Sequence, residues 1–394
     1  MNRRLPFGCA LTACAAFLSI YSYVSLSGRR ILGADVREIV ENVTTIYVEL
    51  CGAFTGGPEA LLQLYLALKR STATNDYWQV KAIGDAPVQI YKEEYGSDRT
   101  KYGWSNDVLY PDADVSPDSI VVVPEIRACA DVKERFPTST IFIWLLQGGP
   151  VTGRVLAEGC NVLSHNFYIG RPYTGNPRWF QQDDMYIDLD LPDGYILTPY
   201  VTPSIVKEAL AYTGMLSSGR LYVHSFESAK EDIIIIDSDA LIIRDVRHYE
   251  TLKYLVKSSI PGVRFEKASD MSRRELIELM KRAKVVYDDC MVGSERVPME
   301  ASLFGALLVT DWCNVGSSFA DIPSPLKIDF ASSAGSKDAY VQALAATFVR
   351  ALENYDSLLP AFAPMRLLYS RLNERSLTAE VNVFLQTLRR DIKR

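Results

Sequence analysis

The chain has 394 residues, 48% of them hydrophobic and 23% charged, which suits a globular protein of two ordinary domains and excludes a disordered or collagen-like chain. Its net charge of −6 leaves no Lys/Arg cluster outside the C-terminal tail, which excludes nucleic acid as a main partner. Seven cysteines without a C-x-x-C pair exclude the usual zinc spacings.

Residues 5–28 form an almost uncharged stretch between Arg3-Arg4 and Arg29-Arg30. A bilayer-spanning helix needs about 20 such residues. The stretch reads as a signal-anchor or as a cleaved signal peptide, and either directs the rest of the chain to the secretory pathway. With an anchor, residues 1–4 are a cytoplasmic tail and 29–44 a stem carrying the sequon Asn42-Val43-Thr44. The location expected is the Golgi or ER membrane, single-pass type II with a lumenal catalytic region. Cys9 and Cys14 lie in the apolar stretch; Cys51, Cys129, Cys160, Cys290 and Cys313 permit one disulfide, with the pairing open.

The first domain is expected over 45–218. A β-rich run at 45–50 leads through Gly56-Gly57-Pro58 into apolar residues at helical spacing over 59–69. Pro58 suits a first helical turn and Glu59 a helix N-terminus. Gly56 and Gly57 allow a ligand to approach backbone amides closely, although a tight turn alone also accounts for them. Further strands are predicted at 79–83, 119–123, 140–146 and 195–199, and a helix at 204–212. Glu125 follows a strand, at the carboxyl end where open α/β sheets place ligands. The aromatic and Pro/Gly-rich stretch 164–192 reads as a long loop, with His165 in it.

The second domain is expected over 219–360, with strands at 232–236, 263–266, 285–287 and 307–310. Helices are predicted at 247–255 and 273–283, the latter opened by a Ser272/Glu275 capping box, and over 297–306. Residues 338–350 and 365–390 read as long amphipathic helices, those of 361–394 returning to the first domain. The basic end, Arg389-Arg390 and Lys393-Arg394, reads as a solvated helix terminus.

Three collinear blocks carry a family resemblance: Phe54 to Glu59; Ile120 to Glu125; and Met271 to Asp288 with Glu295-Arg-Val-Pro-Met-Glu-Ala301, Gly305 and Val309-Thr310. Over 45–329 the chain resembles GT-B glycosyltransferases, and within them poorly characterised bacterial polysaccharide-biosynthesis enzymes. The fold implied is α/β, with two Rossmann-like domains facing a cleft. The activity implied is transfer of a sugar from a UDP- or GDP-sugar to a glycan or other hydroxyl acceptor, retaining and metal-independent, with no cofactor. The resemblance makes Glu300 the donor ribose ligand and Arg296 a diphosphate or sugar contact. A carboxylate accepts from two ribose hydroxyls, and a guanidinium matches phosphate oxygens. The alternatives are a helix N-terminal charge for Glu300 and an ion pair with Glu295 or Asp289 for Arg296. The family's second glutamate, eight residues before Glu300, is here Val292, and Arg244 and Arg247 are candidates for its basic pair.

No Ser-His-Asp constellation stands out. Of three histidines, His165 is the candidate for a site role. Asp237-Ser-Asp239 resembles the metal-binding D-x-D of GT-A enzymes, but nearly 200 residues of α/β pattern precede it. Two further readings are a non-catalytic GT-B-like nucleotide-sugar binder and a nucleotide-dependent oxidoreductase. The latter needs an acid about 20 residues after the glycine loop. Asp76 lies near that position but precedes its strand.

Overall fold

A computed structural model describes residues 45–50, 56–73, 77–84, 115–146, 160–165, 195–213, 229–237, 245–289, 291, 293, 295–312, 314–328 and 336–392. All belong to one compact unit, Gly33–Arg394. The proposed anchor, the sequon, Arg244, Asp239 and Val292 lie outside the described residues. Among the described residues, no helix is long and apolar enough to cross a membrane.

The described residues form two parallel five-stranded sheets. The first comprises β1 (Thr45–Glu49), β2 (Gln79–Ile83), β3 (Ile120–Pro124), β4 (Thr140–Leu145) and β5 (Asn161–Ser164), in the order β2-β1-β3-β4-β5. The second comprises β6 (Glu231–Ile236), β7 (Arg264–Lys267), β8 (Ala283–Tyr287), β9 (Leu307–Asp311) and β10 (Leu326–Ile328), in the order β10-β9-β8-β6-β7. Counted within each lobe, both orders are 2-1-3-4-5, the doubly wound pattern. The chain reverses its direction of travel between β1 and β3 and between β6 and β8. In open α/β sheets this switch point, at the carboxyl ends of the strands, is where ligands bind. The strands β1, β3, β4, β6 and β9 are short, largely apolar runs buried on both faces, as crossover helices require, while the edge strands β2 and β7 are more polar and partly exposed.

Helix α1 (Gly56–Thr72) follows β1, α2 (Cys129–Arg135) follows β3, and α3 (Pro203–Tyr212) runs between the lobes' sequences. In the second lobe α4 (Val246–Ser259), α5 (Arg273–Arg282) and α6 (Arg296–Leu303) make the crossovers, and α7 (Lys337–Glu353), α8 (Tyr355–Leu358), α9 (Ala363–Arg371) and α10 (Glu374–Ile392) end the chain. The Ser272/Glu275 capping box forms as expected. Disulfide Cys129–Cys160 joins the start of α2 to the residue before β5.

Two sequence expectations differ. Residues 195–199 make an isolated parallel bridge, Ser164–Ile196, in place of a strand. Side chains take the ladder's place: Thr198 N donates to Glu380 at 2.6 Å and Tyr200 N to Gln63 Oε1 at 2.8 Å. The helix expected over 365–390 is broken after Arg371, because Asn373 caps a new helix. Its Oδ1 accepts from Arg375 N and Ser376 N at 2.8 and 3.3 Å. Leu377, Val381, Phe384 and Leu388 of α10 pack into the first lobe's core with Leu61, Tyr65 and Phe142.

Candidate functional site

Each sheet presents acids at its switch point. In the first lobe Glu49 ends β1 and Glu125 follows β3, both buried. Glu49 is neutralised by Arg127 and Arg135 at 3.0 and 3.2 Å. Glu125 accepts a hydrogen bond from Leu146 N at 3.0 Å; burial raises its pKa, and that bond opposes the rise. His165, just past β5, is buried with Nδ1 2.8 Å from Leu145 O. Burial pushes the imidazole pKa down to about 4, so the ring is neutral at pH 7. Gly56 and Gly57 open α1; a Cβ at Gly57 would meet Leu146 Cδ1 at an ordinary 3.5 Å.

In the second lobe α6 brings up Glu300, which is fully buried. Arg273, the first residue of α5, grips it with both terminal nitrogens, Nη1 at 2.6 Å and Nη2 at 2.5 Å. Burial raises the Glu300 pKa and the Arg273 fork counters the rise. Arg296, at the first turn of α6, reaches across to the buried Glu59 of α1 rather than to Glu295 or Asp289. Glu59 also accepts from Thr202 Oγ1 at 2.8 Å. The result is an alternating chain of charges, Glu59–Arg296–Glu300–Arg273, running from the glycine-loop helix of one lobe into the other.

Gly293 supplies a second link between the lobes. A Cβ there would lie 2.5 Å from the carbonyl oxygen of Leu146, so no larger residue fits without movement. The glycine that close approach requires is therefore Gly293, which sequence reading passed over.

The carboxyl edge of the second sheet is acidic. Asp237 follows β6, Asp288 and Asp289 follow β8, and Asp311 ends β9; all four are buried. Asp289 accepts from the Tyr287 hydroxyl at 3.0 Å. Neither oxygen of Asp288 has a hydrogen-bond partner, and neither has the Thr310 hydroxyl. Burial raises the Asp288 pKa well above the carboxylate range, and the charges of Asp237, Glu295, Asp289 and Asp311 add to it. Beyond them Trp312 and Phe319 stand partly exposed with ring centroids 5.2 Å apart, and Lys327 Nζ lies 4.0 Å above the Phe319 ring.

Of the residues singled out from sequence, the structure brings Arg296 and Glu300 together on α6 and places Gly56 and Gly57 on the helix that Arg296 reaches. Glu125 and His165 sit along the first lobe's carboxyl edge, each bonded to the end of β4. Arg273 and Glu59 join the site only in the structure: sequence marks Glu59 as a helix charge and Arg273 as part of a block, because their partners are remote along the chain.

Two Rossmann-type lobes whose switch points both carry buried acids, tied by an ion pair across their helix N-termini, define a two-lobed α/β architecture. No protein-family model matches the chain, and no curated protein matches it by sequence. Similar solved structures include the N-terminal domain of Candida albicans trehalose-6-phosphate phosphatase, 10% identical over 93% of this chain and 99% of that one, with a TM-score of 0.49. A UDP-forming α,α-trehalose-phosphate synthase from Burkholderia vietnamiensis is 12% identical over 88% and 100% of the two chains, with a TM-score of 0.46. The pneumococcal O-GlcNAc transferase GtfA, solved with UDP and GlcNAc, is 14% identical over 72% and 58%, with a TM-score of 0.39. These likenesses concern fold alone.

Proposed function

We propose that the chain is a glycosyltransferase that binds a nucleotide-diphosphate sugar between its lobes and transfers the sugar, with retention, to a glycan or other hydroxyl. The observation that carries this reading is Glu300, a fully buried carboxylate held by the Arg273 fork beside the first turn of α6. Each of its oxygens keeps a lone pair free, so it can accept from the two hydroxyls of a ribose. The neighbouring helix N-terminus favours phosphate, and transfer then consists of positioning and of stabilising the departing diphosphate. In this reading Glu125, Gly56 and Gly57 lie on the side facing the donor sugar and acceptor. Neutral His165 contributes hydrogen bonding, not charge. The Cys129–Cys160 disulfide suits the lumenal, membrane-anchored location that the N-terminal stretch implies.

Calorimetric titration with UDP, GDP and their sugars tests the reading. Binding of one of them, weakened at least roughly tenfold in Glu300→Ala, is the expected result. Unchanged affinity in that variant removes the site assignment.

A second reading, a nucleotide-sugar binder without turnover, is favoured by Val292, which stands where the resembled family has its second glutamate. Donor hydrolysis by the purified chain decides between them: binding without turnover favours the second.

A further inference from the structure

We propose that Asp237, Asp288 and Thr310 form a divalent-cation site at the second lobe's switch point, which takes a hard cation such as Mg²⁺ or Mn²⁺ and completes its shell with donor phosphate oxygens. The proposal rests on the donor reading above for the source of those phosphates, and it departs from the metal independence that the family resemblance implies.

Strand register sets the geometry. Ile236, Tyr287 and Val309 are paired across β6, β8 and β9. Asp237 N donates to Tyr287 O at 2.9 Å and Asp288 N to Val309 O at 3.2 Å; these bonds close the last paired row and hold the next residue of each strand alongside its neighbour, and the charge of Asp237 acts on Asp288. Asp237, Asp288 and Thr310 are therefore the residues that follow that row on the three strands. Side chains in one row of a parallel sheet lie on the same face. Asp289 and Asp311 alternate to the opposite face, where Asp289 is bonded to Tyr287.

Three oxygen-bearing side chains thus stand side by side at the crevice between β6 and β8. Asp288 is 1% exposed and Thr310 fully buried, yet both Asp288 oxygens and the Thr310 hydroxyl lack partners. Buried polar groups are almost always satisfied, so each such group asks for a ligand. Lys327 pairs with Thr310 in register, but its ammonium donates to Ser318 O at 3.2 Å and lies over the Phe319 and Trp312 rings. The first lobe shows the contrast, because there Glu49 at the equivalent strand end has two arginines.

A diphosphate cannot approach such an edge unless a cation intervenes. All-oxygen ligands select a hard cation, and Mg²⁺ is commonly held by one or two carboxylates plus substrate phosphates. Among the described residues no group of three His, Cys, Asp or Glu side chains could hold a metal ion, so two carboxylates and a hydroxyl need phosphate oxygens and water to fill the shell.

The test uses the purified chain, stripped with EDTA. Millimolar Mn²⁺ is expected to raise the melting temperature, and paramagnetic resonance to count one bound Mn²⁺ per chain. Asp237→Asn and Asp288→Asn lose both effects, while Glu278→Gln, on an exposed helix face, keeps them. Because Asp288→Asn relieves repulsion, its melting temperature in EDTA equals or exceeds that of the unsubstituted chain, which reports that it folds. Absence of a shift, or a shift that survives Asp288→Asn, overturns the site. In the nucleotide arm, UDP or GDP affinity falls at least roughly tenfold when Mg²⁺ is replaced by EDTA. Equal affinity in EDTA overturns the phosphate bridge alone. Mn²⁺ binding without affinity for any nucleotide leaves the cation site standing and removes the donor reading.

Discussion

The buried Glu59 and the partly exposed Arg296 form an ion pair whose loss has a defined consequence. Removing Arg296 leaves the Glu59 carboxylate buried without that partner, which costs about 3 kcal/mol. Arg296→Met is therefore expected to lower the denaturant midpoint without a change in slope. The double variant Glu59→Gln/Arg296→Met should recover part of the loss, since an apolar replacement leaves no charge unpaired. A single variant as stable as the parent would show that the pair contributes nothing. His165 has a pH signature of its own. Its folded pKa of about 4 lies below the ordinary 6.5, so the unfolded chain binds the extra proton first. Stability from this group is complete above pH 6.5 and is lost as the pH falls toward 4, on the order of 3 kcal/mol in all. His165→Asn should flatten that part of the profile, which denaturation at stepped pH would read.

The C-terminal elements show how local chemistry decides element boundaries. Asn373 splits one amphipathic run into α9 and α10 by accepting two backbone hydrogen bonds at the start of α10. Asn373→Ala is expected to cost about 1 kcal/mol, measured by chemical denaturation. Farther along α10, Glu380 accepts from Thr198 N, and burial pushes its pKa up to about 7. A raised carboxylate pKa favours the fold at low pH and is a liability once the pH passes the folded value. Glu380→Gln should thus gain stability relative to the parent as the pH rises from 4.5 to about 7, and a constant difference would exclude the assignment. At this scale the sequence was largely readable. Runs of Val, Ile and aromatic residues marked β1, β3, β4 and β6 because strands buried on both faces must be continuously apolar. The Ser272 cap and the Pro298 turn announced α5 and α6 for reasons of backbone hydrogen bonding. The break at Asn373 escaped because the periodicity on either side is the same. The partners of Glu300 and Arg296 escaped because sheet register and lobe packing, not spacing along the chain, choose them. The Asp237–Asp288–Thr310 row was invisible for the same reason.

The whole molecule is tied by elements distant in sequence. α10 leaves the second lobe to bury Val381, Phe384 and Leu388 against the first, Arg70 pairs with Glu374 at 2.9 Å, and Gly293 lies against Leu146. Within the first lobe the Cys129–Cys160 bridge closes a loop across 31 positions and holds α2 to the start of β5. Pairing could not be read from seven scattered cysteines; the packing of the crossover helix α2 against the sheet, with β5 added beside β4, brings Cys129 and Cys160 together. Constraining a loop of that length in the unfolded chain stabilises the fold by about 3–4 kcal/mol. Cys129→Ser should therefore lower the unfolding free energy by about that amount. The double variant Cys129→Ser/Cys160→Ser should be no worse than either single one, since the same bond is lost once. Reductant should bring the parent chain to the level of the variants and leave the variants unmoved. That pattern separates a bond constraining the chain from two buried side chains that merely pack, because packing losses would add and would not respond to reductant. Such a bridge persists in an oxidising environment and opens in a reducing one, which is why the reductant arm is decisive.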